Sequence, residues 1–249
     1  MKEFFRMPSD LQHSYLGLVG WHLEESLIPV LVGLLVALPV GQVCVRFRRL
    51  YPPVLWGATV LYAIPSLAFF VVLIDYTGQS QTTVMIPLAL YSLVVLVPAI
   101  VDGVRSVPQE TQAAATAMGF GPVRRYLRVE LPIAAPAIFA GLRVATVSSI
   151  SLVSIGTLIG NQGALGNLLA DAMFYHRPIL AVNSVISIAV LAIAADAALV
   201  RCSRLLTPWI PAARTWTRAF RAFRAFRAFR AFRAAGPDPA TRTEPEESP

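Results

Sequence analysis

The chain has 249 residues, of which 56% are hydrophobic and only 14% charged, with a mean hydropathy of +0.62. Soluble domains carry about a quarter charged residues, so this composition excludes an ordinary soluble protein and predicts a membrane protein. The formal net charge is +7, and seven arginines between residues 214 and 233 equal that whole excess. The body of the chain is therefore close to neutral, and nucleic acid is not an expected partner.

Five segments are long and apolar enough to cross a bilayer, which takes about 20 mostly apolar residues. They are Leu27–Val45, Val54–Ile74, Val84–Val101, Ile133–Ile159 and Ile179–Val200. Because a helix that is apolar on all sides suits lipid or a bundle interior, we expect an all-α membrane protein with about five transmembrane helices. The first segment has no basic stretch directly before it, which favours a retained span over a signal peptide.

The basic residues of the connecting segments alternate along the chain and predict its orientation. The loops after the first and third spans are rich in arginine, whereas the loop after the second has none and the loop after the fourth has only Arg177. Basic loops stay in the cytoplasm, so the N-terminus is expected outside and the C-terminus inside. This predicts an extracytoplasmic segment over 1–26, a transmembrane domain over 27–210 and a cytoplasmic tail over 211–249.

The tail is basic and of low complexity. Arg218 to Arg233 repeats Arg-Ala-Phe, with a period of three that spirals around an α-helix and forms no clean face. Two interpretations stay open: an interfacial segment on anionic lipid, or a sequence expansion with no dedicated role. Gly236 to Pro249 is rich in proline and glutamate and is expected to be disordered.

The third loop, residues 102–132, is expected on the cytoplasmic side and to contain two short helices. Ser106 is predicted to cap the first helix, with Pro108 in its first turn. Gly119 to Pro122 should end that helix, because glycine permits positive φ and proline suits the first position of a new helix. The second helix is predicted from Pro122 to Glu130, before the chain re-enters the membrane. On these residues alone, a docking element for another protein and an ordinary loop both stay open.

The same loop carries a family resemblance. Its pattern Ala-Ala-Ala-x-x-Met-Gly, followed after nine residues by Val-x-Leu-Pro, resembles the EAA loop of ABC-importer permeases. The resemblance implies a coupling helix that sits in a groove of a cytoplasmic ATPase. Its ATPase-coupling residues would be Ala113, Ala114, Ala115, Met118, Gly119, Leu131 and Pro132. One departure is that Ala113 stands where the family usually has glutamate, while Glu110 lies three residues earlier.

Three further segments resemble permeases of the glycine betaine/carnitine/choline (osmoprotectant) importers. They are Tyr62–Ala68, Gly141–Val147 and the glycine-rich Thr157–Gly166. The resemblance covers roughly residues 20 to 210 and implies a MetI-like type I ABC importer permease core. It also implies ABC ATPase subunits that bind ATP and magnesium, an extracytoplasmic solute-binding protein and a second permease chain, identical or similar.

Polar residues within the spans are candidates for a translocation path. Pro65 and Ser66 should kink the second span and free backbone carbonyls. Ser148, Ser151 and Ser154 belong to a polar cluster in the fourth span. Small polar residues also allow close helix packing, so packing and a solute path both stay open.

Two charged residues lie within apolar runs. Arg143 is expected to reach the cytoplasmic edge of the membrane along its aliphatic stem. Asp196 is expected to form an ion pair with Arg201 or Arg204 near the end of its span.

No pattern for catalysis, nucleotide binding or metal binding occurs in the chain. Gly160–Gly166 lacks the Gly-Lys-Ser/Thr ending of a P-loop, and the three histidines lack metal-ligand spacing. We therefore expect no cofactor in this chain and no enzymatic activity. The resemblance implies a multi-pass cell-membrane permease of an ABC importer, most simply for quaternary-ammonium osmoprotectants. The alternatives are an importer for an amino acid or another small solute, and a channel or scaffold without an ATPase.

Overall fold

A computed structural model of the protein describes residues 15–159 and 163–209. Every regular secondary-structure element in these two ranges is a helix. The predicted tail over 211–249, residues 1–14 of the predicted N-terminal segment and Gly160 of the glycine-rich loop lie outside the described residues. The described helices are α1 (Tyr15–Arg46), α2 (Tyr51–Ala63), α3 (Ser66–Thr77), α4 (Gln81–Arg105), α5 (Gln109–Ala117), α6 (Pro122–Arg125), α7 (Leu131–Gly156), α8 (Asn167–Phe174) and α9 (Pro178–Leu206). They belong to one compact unit that ends at Thr207.

The number of membrane spans agrees with the prediction. Within the described ranges, four helical segments are long and apolar enough to cross a bilayer, and the number is five when a bent pair of helices is taken as one span. The four are α1, α4, α9 and the continuous helical run Pro122–Ile159, and the bent pair is α2 with α3. The first helix begins at Tyr15, well before the apolar run at Leu27.

The predicted kink at Pro65 is confirmed as a sharp break. The axes of the helical segments on its two sides differ by 88°. Proline has no N–H to donate and its ring disfavours a continuing helix, so α2 ends at Ala63 and α3 begins at Ser66. The Tyr91 hydroxyl of α4 donates to the Ile64 carbonyl at 3.0 Å, which satisfies an acceptor at the break and holds the corner against α4.

The core lies where α4 packs between α1 and α7. Close approach is possible because glycines occupy the crossings. A Cβ at Gly33 of α1 would lie 1.7 Å from Ser92 Oγ, and one at Gly141 of α7 would lie 2.5 Å from the Ala99 Cβ. Without a hydrophobic drive between helices in lipid, such small-residue contacts supply the dispersion energy that holds the bundle together.

Two details of the third loop differ from the prediction. Ser106 does not cap α5; its hydroxyl donates back to the Gly103 carbonyl at 2.7 Å and ends α4 instead. The second loop helix is also not separate, because α6 continues through a π-helical turn (Tyr126–Glu130) directly into α7. Pro132 would obstruct α-helical bonding at this point. The wider turn, in which the Leu131 N–H donates to the Tyr126 carbonyl, lets the helix continue.

Candidate functional site

Helix α5 is a short helix that the rest of the described chain leaves largely uncovered. Of its nine residues only Ala115 is buried, whereas Ala113 and Ala114 are exposed. Met118, just past its end, is 69% exposed. Small side chains leave the backbone of α5 open to close approach by another surface.

The end of α5 is built by a glycine-dependent cap. Gly119 has φ of +81°, and its N–H donates to the Thr116 carbonyl at 2.9 Å. The next N–H, of Phe120, donates to the Ala115 carbonyl at 3.1 Å. This paired arrangement is a Schellman motif, which needs a left-handed residue after the helix. The stop predicted at Gly119–Pro122 is confirmed, and Pro122 opens α6 with Gly121 as its N-cap.

One arginine joins α5 to the membrane helix that follows it. Arg125 Nη1 donates to Thr116 Oγ1 of α5 at 3.1 Å, and Arg125 Nε donates to Glu130 Oε1 at 2.7 Å. Glu130 is only 3% exposed, although it lies at the end of the loop, directly before the first residue of α7. Because a buried carboxylate depends on its partner, the contact to Arg125 stabilises Glu130, and Arg125 connects α5 to the residue that precedes α7.

The predicted ATPase-coupling residues fall into two groups. Five of them lie on α5 or its cap: Ala113, Ala114, Ala115, Met118 and Gly119. Leu131 and Pro132 are half-buried in the first turn of α7. The structure brings the groups together only indirectly, through the Arg125 bridge.

The predicted path residues lie on two helices that meet in the membrane region. Ser148 is half-buried and Ser151 exposed on one face of α7, next to Val144, which is 55% exposed. Ser154 is half-buried, and its hydroxyl has no hydrogen-bond partner among the described residues. Pro65 is exposed and Ser66 half-buried at the break before α3, which packs against α7.

The two charged residues within apolar runs pair with each other. Arg143 Nε and Nη2 of α7 donate to the two carboxylate oxygens of Asp196 of α9, at 2.6 and 2.8 Å. The predictions that Arg143 reaches the membrane edge and that Asp196 pairs with Arg201 or Arg204 are therefore wrong. Opposite charges within apolar spans gain more from a bidentate contact with each other than from separate routes to the surface.

Sequence reasoning missed both ion pairs, and a sequence signal was present for only one of them. Two opposite charges in otherwise uncharged spans predict a pair, which points to Arg143 and Asp196. The link from Arg125 to Glu130 spans five residues, one more than α-helical spacing allows. It becomes visible only once the π-helical turn between them is known.

The fold is that of a membrane-spanning ABC-transporter subunit. A chain from an inward-facing structure of the MetNI methionine ABC transporter superposes with a TM-score of 0.71, covering 81% of this chain and all of that one at 18% identity. Residues 30–210 match the protein family described as "Binding-protein-dependent transport system inner membrane component", and the chain belongs to this family.

Relatives in this family resemble the chain over most of their length. The choline transport system permease protein OpuBD of Bacillus subtilis is 33% identical over 190 residues, which is 76% of this chain and 84% of that protein. The osmoprotectant import permease protein OsmW of Salmonella typhimurium is 33% identical over 192 residues, 75% of this chain and 89% of that protein. The protein is thus a multi-pass membrane permease, the translocation subunit of an ABC importer, rather than an enzyme.

Family membership assigns ATP hydrolysis and solute delivery to partner subunits. In the part of the chain that the structure describes, no group of three or more potential metal-ligating side chains occurs. The chain supplies a membrane bundle and an uncovered short helix.

Proposed function

We propose that this chain forms the translocation path for quaternary-ammonium osmoprotectants such as glycine betaine, carnitine and choline. The observation that carries the proposal is that its relatives with these printed roles align over three quarters of the chain. The aligned region contains the helix break at Pro65 and the serine-bearing face of α7. A second permease chain, identical or similar, completes the path against that face.

The solute class is tested by growth at high osmolarity. A host without its own osmolyte importers would express this chain with its ATPase and binding protein. Rescue by glycine betaine, choline or carnitine, and not by methionine, is expected. Rescue by none of the three, with the assembled complex present and hydrolysing ATP, would refute the solute class and leave the permease assignment intact.

The ATPase docks on α5, and the end of the bundle that carries α5 faces the cytoplasm. The arginines support this orientation: the loops around α5 and the end of α9 carry many, whereas the opposite end carries only Arg177 in the described chain. The exposed alanines of α5 and the exposed Met118 support the docking surface. ATP-driven closure of the ATPase pair would push α5, and Arg125 would pass the displacement to α7.

The docking surface is tested by a bulky substitution that leaves the helix intact. Ala114→Trp places a large side chain on the exposed face of α5, so ATPase co-purification should fall at least tenfold while the chain still inserts. Thr82→Trp is the control, because Thr82 is exposed at the first turn of α4, the opposite end of the bundle. Equal co-purification by the two variants would contradict docking on α5.

The link between α5 and α7 is tested separately. Arg125→Gln removes the contact to Glu130 but leaves the exposed face of α5 unchanged. We expect ATPase binding within about twofold of wild type, with uptake per ATP hydrolysed reduced several-fold. Arg124→Gln is the matched control, since Arg124 lies over the Phe120 ring at 4.7 Å and contacts no carboxylate in the described structure. Unchanged coupling in Arg125→Gln would overturn the role of the bridge.

A further inference from the structure

A basic cavity of about 560 Å³ lies at the end of the bundle that carries α5. Its charged lining comes from four separate parts of the chain that meet there: the end of α1, the short helical turn Arg48–Leu50 before α2, the end of α4, and α6 with the turn that follows it. The charged lining residues are Arg46, Arg48, Arg105, Arg125 and Glu130. Three glutamines, Gln42, Gln109 and Gln112, add neutral hydrogen-bonding groups.

The cavity carries more positive charge than its own residues neutralise. Glu130 is engaged by Arg125, which leaves three arginines in the lining. Within the described residues, none of these three has a carboxylate within ion-pair distance. Arg105 lies over the Tyr51 ring at 4.8 Å, and Asp102 acts electrostatically on the Tyr51 hydroxyl from outside the lining. The positive charge of these three arginines suits an anion with several acceptor oxygens, such as a phosphate group.

An apolar groove of about 260 Å³ lies along the same stretch of chain. Its lining residues, Pro39, Val40, Val43, Cys44, Leu50 and Val54, interleave in sequence with cavity residues such as Val45, Arg46 and Tyr51. Leu50 of the groove lining is 43% exposed, and Phe47, which precedes it in the same connection, is 57% exposed. A headgroup-sized basic cavity beside an apolar groove, at the ends of membrane helices, fits a phospholipid: the phosphate in the cavity and an acyl chain in the groove.

We propose that this cavity and groove bind an anionic phospholipid, with Arg46, Arg48 and Arg105 around its phosphate. Basic pockets between membrane helices are suited to such headgroups. Gln109 and Gln112 of α5 line the same cavity, so a bound headgroup would also brace α5 against α1 and α4. This site is independent of which solute the permease carries.

The test uses the full-length chain, purified in mild detergent, and native mass spectrometry with added phosphatidylglycerol. Each arginine near a lipid phosphate is worth about a fivefold change in affinity, so Arg46→Gln with Arg48→Gln should weaken binding by about 25-fold. The control is Arg201→Gln with Arg204→Gln, which removes the same charge from the end of α9 without touching the cavity. The seven arginines between residues 214 and 233 are unchanged in every variant, so they add the same background of lipid binding.

Two further arms separate the sources of the phosphate. Val43→Trp fills the apolar groove and should weaken phosphatidylglycerol binding at least fivefold while leaving the binding of glycerol phosphate unchanged. Phosphatidylcholine, a zwitterionic lipid, should bind at least tenfold more weakly than phosphatidylglycerol to the wild type. If glycerol phosphate binds as tightly as the lipid, the occupant is a free phosphate and the lipid proposal fails.

Two results would overturn the site. Equal losses in the cavity variant and the α9 control would mean that lipid responds only to overall charge. If the cavity variant binds lipid normally and instead loses the ATPase subunit, the cavity receives an acidic side chain of a protein partner.

Discussion

Breaking the ion pair between Arg143 and Asp196 should cost more than removing it altogether. The pair joins α7 to α9 through two hydrogen bonds of 2.6 and 2.8 Å, with side-chain exposures of 43% and 31%. Stranding one member of a fully buried pair costs 3–5 kcal/mol, whereas fully exposed pairs contribute about 0.2–1 kcal/mol. For this half-exposed pair we expect Asp196→Asn to lower the free energy of unfolding by about 2 kcal/mol.

The double replacement Arg143→Met with Asp196→Leu should recover most of that loss. It leaves no stranded charge, and apolar side chains of similar volume suit the α7–α9 interface, so stability should return to within about 1 kcal/mol of wild type. For a chain of this size, about 2 kcal/mol corresponds to a fall in Tm of roughly 4 to 8 °C. Thermal unfolding of the wild type, Asp196→Asn and the double variant in lipid nanodiscs tests both expectations.

The control separates this account from pairing of Asp196 with the nearby arginines of α9. Arg201→Gln, alone or with Arg204→Gln, should shift Tm by less than about 1 °C, because neither residue contacts Asp196 in the structure. A double variant as unstable as Asp196→Asn, or an Arg201→Gln variant that is equally unstable, would refute the reasoning.

Three further predictions follow from packing, burial and the cap of α5. Gly33→Val should push α1 away from α4, since the new Cβ would also lie 3.0 Å from the Ala89 carbonyl oxygen. The free energy of unfolding should fall by about 1–3 kcal/mol relative to the control Gly57→Val, whose Cβ would meet nothing within 4 Å. Equal Tm values for the two variants would contradict this. Burial raises the pKa of Asp171, so the folded protein holds this proton more tightly than the unfolded chain. Stability should therefore fall as pH rises from the ordinary aspartate pKa toward the raised one. Asp171→Asn should flatten this pH dependence of Tm, and an unchanged slope would contradict the prediction. Gly119→Ala should strain the left-handed cap by about 1 kcal/mol and weaken ATPase co-purification measurably, whereas unchanged binding would show that the cap geometry is not needed.

The fold was predictable because lipid leaves few choices for the backbone. Spans must be apolar and helical, so composition and the basic loops were sufficient to predict five crossings. The break at Pro65 and the stop at Gly119 were also predictable, since proline and glycine act through their own backbones.

The failures concern long-range partners and helix register. The prediction for Ser106 rested on a local cap pattern, but its hydroxyl found the Gly103 carbonyl one turn back. Pairing of Arg143 with Asp196 depends on how α7 packs against α9, which no local pattern contains. The cavity at the end of the bundle likewise arises only because four elements meet, each contributing a basic or polar residue that is unremarkable within its own segment.

The most direct test of the central claim is uptake of labelled glycine betaine, choline and carnitine by proteoliposomes that contain the assembled importer. The account predicts uptake of at least one of the three that requires ATP and the binding protein, and that falls at least tenfold with Ala114→Trp but not with Thr82→Trp. ATP-independent uptake, or equal uptake by the two variants, would contradict a permease driven through α5.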